Sequence, residues 1–114
     1  MRRFWALLLV LAACGVFRQV SAAPPDENKS YRIAEAAYHD GLYDLAEKQL
    51  TEYLKQFPDS DRADQVALDL AQAQLNQGKW QAATKTLQDS LAKWPTQRRP
   101  DAFRFWLAEA FLRG

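Results

Sequence analysis

Gly41-Leu42-Tyr43-Asp44-Leu45-Ala46 and Gly78-Lys79-Trp80-Gln81-Ala82-Ala83 carry one pattern 37 positions apart. The same offset sets Leu50 on Leu87, Leu54 on Leu91, Phe57 on Trp94 and Pro58 on Pro95. A further step takes Ile33 to Leu70 to Leu107, Ala34 to Ala71 to Ala108, and Tyr38 to Leu75 to Leu112. Echoes of this length belong to stacked supersecondary units, whose usual work is to hold other proteins.

Within each unit the apolar spacing is helical. Ile33, Ala34, Ala36, Ala37 and Tyr38 form one face after a start capped by Ser30 or Asp26. Gly41 breaks that helix, since glycine tolerates positive φ. Leu42, Leu45, Ala46, Gln49, Leu50, Tyr53 and Leu54 then recur at spacings of three and four, and Phe57-Pro58-Asp59-Ser60 ends the second helix. The next unit repeats this plan. A helix is expected over about 61–77 with Val66, Leu68, Leu70, Ala71, Ala73 and Leu75, and a partner over about 79–93 with Trp80, Ala83, Leu87 and Leu91. A third first-helix opens at Pro100, a favoured helix-starting residue, and carries Phe103, Trp106, Leu107, Ala108 and Leu112. The fold class is all-α, an α–α solenoid of two full units plus a third first-helix.

That last helix also carries Phe105 and Phe111, more aromatic surface than a terminal repeat normally shows to solvent. Two readings follow: an N-terminal piece of a longer protein, truncated at the C-terminal end, or an unusual cap over the second unit. The first is favoured, because solenoids normally need about three units.

The first 22 residues read as a secretory signal: basic Met1-Arg2-Arg3, an apolar Phe4–Phe17, and a small-residue site at Val20-Ser21-Ala22. The apolar run is short of the roughly 20 residues of a membrane span. Residues 23–29 are expected to be a flexible lead and 30–114 the repeat domain. Cys14 is the sole cysteine, so no intramolecular disulfide can form. Leu11-Ala12-Ala13-Cys14 resembles the lipobox of bacterial lipoproteins, which would attach lipid to Cys14. Gly15-Val16-Phe17 continues the apolar run instead of opening a polar tether, which favours soluble export to the periplasm. The alternative is an outer-membrane lipoprotein, membrane-bound only through Cys14.

Without the signal the chain has 12 basic and 14 acidic residues, a net charge of −2. Its basic residues are scattered, so the electrostatic footprint of a nucleic-acid binder is missing. No catalytic or cofactor motif emerges either. His39 is the only histidine and lacks spaced partners for a catalytic or metal-binding role. The four glycines form no phosphate loop. Asp59, Asp61, Asp64 and Asp69 suggest calcium only weakly, since Asp61 and Asp64 suit the first turn of a helix. Asn28-Lys29-Ser30 matches the glycosylation triplet, a match common by chance. The expectation is a non-enzyme with no cofactor and no metal.

Small residues at Ala34 and Ala71, turn glycines at Gly41 and Gly78, aromatics at Tyr43 and Trp80, alanines at Ala46 and Ala83, and closing prolines at Pro58 and Pro95 resemble tetratricopeptide (TPR) repeats. The resemblance covers roughly residues 29–114 and departs in period, 37 against the usual 34. The long Pro58–Gly78 stretch looks like the bacterial envelope variety, which includes the barrel-assembly lipoproteins and the periplasmic TPR proteins that work with Tol–Pal. The resemblance implies an envelope scaffold for protein–protein interaction. The alternative is a structural arm of a longer protein, self-associating through the third first-helix. In TPR proteins the first helix of each unit lines the binding face, which here implies Tyr31, Glu35, Tyr38, His39, Gln65, Asp69, Gln72 and Asn76. The partner is an envelope protein whose identity the sequence does not specify.

Overall fold

The computed structural model describes residues 25–94 and 99–114. The expected signal segment with Cys14, and Pro95, lie outside them. Five helices follow in order: α1 (Glu27–His39), α2 (Tyr43–Gln56), α3 (Ala63–Asn76), α4 (Trp80–Lys93) and α5 (Pro100–Arg113). No strand occurs among the described residues. Each helix packs on the next and α3 also meets α5, as in a TPR-like solenoid of two full pairs and a third first-helix.

Both turns within the units are built alike. Gly41 has φ 76° and Gly78 φ 73°. At the first, the Leu42 amide donates to the Ala37 carbonyl and the Gly41 amide to Tyr38; at the second, Lys79 donates to Gln74 and Gly78 to Leu75. This paired pattern closes a helix with a left-handed residue just beyond its end. A side chain at Gly41 would meet open space, so the backbone angle and not crowding requires glycine there.

α1 begins at Glu27, inside the expected lead, because the Asp26 carboxylate accepts the Lys29 amide at 3.2 Å; Asp26, not Ser30, is the cap. α3 is covered on both sides, and eleven of its fourteen residues are buried. Its Val66, Leu70 and Ala73 face the first unit, packing with Ala34, Ala37, Ala46, Leu50 and Tyr53. Its Ala67, Leu68 and Ala71 face the other way, toward Leu87 and Phe103. Leu75 closes a third cluster with Ala83 and Ala110. Ala34, Ala46, Ala71 and Ala83 are wholly buried, as close helix approach requires. By contrast Ile33, Leu42 and Leu45, assigned to the apolar face by spacing, are 42–49% exposed. They sit at the edge of their stripes, beyond the reach of the neighbouring helix.

A polar tie fastens the open side of the first unit. The buried Tyr53 hydroxyl donates to Glu27 Oε1 at 2.8 Å, and the Ser60 hydroxyl donates to the same oxygen. These donors hold the Glu27 carboxyl below its usual range. The tie joins the start of α1, the end of α2 and the link to α3. Tyr53→Phe removes one hydroxyl while Ser60 still serves Glu27, so we expect a loss of about 1–2 kcal/mol. Urea unfolding with an unchanged m-value should show it as a lower midpoint.

Candidate functional site

The first helices α1 and α3 meet through long polar side chains. The Tyr38 hydroxyl donates to Gln72 Oε1, and Tyr38 also packs edge-on to Tyr43 with ring centres 6.0 Å apart. Burial, then Asp69, Tyr43 and Glu35 nearby, push the Tyr38 phenol up to about 12, so it stays a donor at every physiological pH. Gln65 Nε2 donates to Asp69 Oδ1 at 2.8 Å. Asp69 is 5% exposed.

Glu35 faces Asp69 across this seam. Burial, then a hydrogen bond with Asp69 and its charge, raise the Glu35 carboxyl to about 8. Glu35 Oε1 is buried and accepts no hydrogen bond, while Oε2 lies 3.4 Å from His39 Nε2. A protonated Glu35 accounts for both observations, since burial and the facing Asp69 both disfavour its charged form.

Six of the eight predicted residues therefore gather at the seam: Tyr31, Glu35, Tyr38, Gln65, Asp69 and Gln72. The other two stand at its rim. His39 is 72% exposed and rests edge-on to Tyr38, and the exposed Asn76 donates to the Gln72 carbonyl of its own helix. Tyr38 and Tyr31 also serve as packing, since both lean on the first core cluster, Tyr31 edge-on to Tyr53. The portions left for a ligand are the half-buried edges of Tyr31, Gln65 and Gln72.

Sequence reasoning missed Arg62, whose guanidinium sits 4.5 Å above the Tyr31 ring. It also missed Arg99, which reaches Asp64 at 3.3 Å and joins the start of α5 to the first turn of α3. Spacing alone gave no signal for either, because both contacts cross between units. The aspartates suspected of holding calcium do not converge: Asp64 faces Arg99 and Asp69 takes Gln65. Among the described residues no group of three or more acidic, histidine or cysteine side chains is placed to hold a metal. No helix among them is long and apolar enough to cross a membrane.

A latch at the opposite, second-helix side distinguishes the first junction from the second. Glu47 on α2 accepts from Lys79 at 2.7 Å, Gln77 at 3.1 Å and Gln74 at 3.2 Å, so the α3–α4 turn is pinned to α2. Burial pushes the Glu47 carboxyl up, but these donors outweigh it and hold the group below its usual range. One step of 37 further, Thr84 and Phe111 stand where Glu47 and Gln74 stood, and no such latch can form.

Fold and seam together define a helical-repeat protein of the TPR kind, with its first helices presenting one polar, aromatic-edged face. The chain belongs to the YfiO family, described as outer membrane lipoprotein, whose model matches residues 24–113. No curated protein and no solved structure matched the chain.

Proposed function

We propose that this protein is a non-catalytic scaffold of the bacterial envelope, which holds a protein partner against the face shared by α1 and α3. The observation that carries the reading is the gathering of Tyr31, Gln65 and Gln72 around the Glu35–Asp69 pair, on the first helices of a TPR stack. The chemistry is that of a binding face: aromatic edges and amide groups, with no nucleophile–base arrangement among them. Residues 1–13 would direct export, because a lipid-bearing Cys14 has to be the first residue of the mature chain. The family's description as outer membrane lipoprotein supports the lipobox reading, so we place the lipid on Cys14 and the protein on the periplasmic face of the outer membrane. The intact mass of the protein from the envelope fraction tests this: a lipid-bearing Cys14 is expected, and a mature chain beginning at Ala23 would overturn it.

The partner face is tested by photocrosslinking in the envelope. A photoreactive residue at Gln65 or Gln72 should give one discrete heavier product. The same residue at exposed Glu52 on α2 or Gln81 on α4 should not. Equal products from both sets, or none from the seam, would sink the reading.

A further inference from the structure

The two junctions between first helices are built differently. α3 meets α5 through apolar side chains, with Ala67, Leu68 and Ala71 against Phe103. α1 does not pack on α3 in that way; long polar side chains bridge the gap, Tyr38 donating to Gln72 and Glu35 facing Asp69. One step of 37 turns Glu35 and Asp69 into Gln72 and Trp106, so the equivalent place at the second junction carries no titratable pair.

Glu35 has little room to leave the seam. Tyr31 lies one turn before it and Tyr38 one turn after it, on the same side of α1, and both rings rest on the first core cluster. The Glu35 side chain is 14% exposed, and its Oε1 is buried without a hydrogen-bond partner. The groups around it do not offset an added charge. Asp69 faces it from α3, Tyr31, Tyr38 and His39 flank it on α1, and Tyr43 of α2 stands edge-on to Tyr38. Arg62, ahead of α3, is engaged over Tyr31, Arg99, ahead of α5, reaches Asp64, and His39 stands exposed at the rim. An ionised Glu35 therefore needs water, and water reaches Oε1 when the seam widens. The far side resists widening. Glu47 ties α2 to the α3–α4 turn, and Leu50 and Tyr53 of α2 are buried with Val66 and Leu70 of α3. Opening falls at the α1 edge.

We propose that the Glu35–Asp69 seam is a proton-operated clasp: it is shut while Glu35 carries its proton, opens at the α1 edge when Glu35 ionises, and so releases the partner held there. The release rests on the partner face proposed above; the opening does not. Shut, the half-buried edges of Tyr31, Gln65 and Gln72 form one surface. Open, the Tyr38–Gln72 bond is stretched and the two helices present separate surfaces. A partner that binds the shut form alone is bound more weakly in proportion as that form is depleted.

The mature chain has no free thiol under either reading of its signal, because Cys14 is then lipid-bearing or removed. Arg32→Cys on α1 and Asn76→Cys on α3, both at exposed positions, can therefore carry a pair of spin labels. Double electron–electron resonance should give a distance at pH 9 longer than at pH 6 by about 3 Å, the width of one water layer, with half the change near pH 8. A second pair on the latch side, Glu52→Cys and Gln81→Cys, should not move. Glu35→Gln should hold the short distance at both pH values, and His39→Gln should leave the change intact. In envelopes, the product crosslinked from Gln65 should fall about tenfold from pH 6 to pH 9, where about one chain in ten keeps the proton, and Glu35→Gln should restore it. A fixed distance, a change that survives Glu35→Gln, or one lost with His39→Gln would overturn the clasp. So would an equal movement of the latch pair, which marks general loosening. A seam that opens while the product holds steady would overturn the release. Absence of the product at both pH values would overturn the partner face and the release with it, while the distances decide the clasp separately.

Discussion

Ala83→Trp should abolish the cooperative unfolding transition at room temperature. Ala83 has no exposed surface and closes a cluster with Leu75 and Ala110, flanked by Trp80 and Trp106. An indole at that point has to fit between α4, α3 and α5 at once. Adding even a few methylenes to a packed core costs about 1–3 kcal/mol, and an indole adds far more volume than that. A domain of this size has only about 5–15 kcal/mol in total, and a two-pair solenoid sits near the low end. Moving α4 outward would relieve the clash, but it would break the Thr86–Gln74 bond and uncover Leu87 and Phe103. Circular dichroism at 222 nm through a thermal ramp reads the effect directly. Ala92→Trp, on the exposed side of the same helix, serves as the control and should lie within about 0.5 kcal/mol of the parent. A parent-like midpoint for Ala83→Trp would mean that α4 faces its neighbours differently.

The features that made the fold legible are those that depend on a residue's own backbone or on spacing along one helix. Gly41 and Gly78 mark the turns because each must take a positive φ, a local demand. Ala34, Ala46, Ala71 and Ala83 mark the helix crossings because nothing larger fits, and the 37-residue echo repeats the marks. Spacing was weaker at the edges of the stripes. Ile33, Leu42 and Leu45 fit the period yet stand half-exposed, since a period says which side a residue faces but not how far the neighbour extends. The start of α1 turned on a cap: Asp26 and Ser30 have equal claims from type alone, and only the Lys29 amide decides between them. Site residues followed the same division. Choosing the outward positions of the first helices gathered six of eight residues at one seam. The pairing of Glu35 with Asp69, and the placing of Arg62 over Tyr31, depend on how one unit is rotated on the next, which spacing within a unit does not contain.

That rotation has a consequence for pH. Glu35 titrates at about 8 in the folded chain, against an ordinary value of 4.5 when unfolded. Between those values the folded state keeps a proton that the unfolded state has released, so stability falls as pH rises. The contribution is fully present below about pH 4.5, declines through the interval, and is lost once pH passes about 8. Burial sets the direction first, and the groups facing Glu35 add to it. Asp69 on α3 opposes ionisation, Tyr38 stays neutral, and His39, 3.4 Å away, stands exposed at the rim. Arg62 is engaged over the Tyr31 ring. Partial solvent access at the seam screens the repulsion, so we expect a fall in melting midpoint on the order of 5 °C between pH 5 and pH 8.5. Glu35→Gln keeps a donor for Asp69 at every pH and removes the titration. Its midpoint should match the parent near pH 5 and exceed it at pH 8.5. Asp69→Asn should flatten the parent's profile as well, by removing the charge that opposes Glu35. Melting curves of the three chains at half-unit intervals decide the matter. Parallel profiles for parent and Glu35→Gln would show that Glu35 is not held protonated, and the seam would then need another explanation for the orphaned Glu35 Oε1.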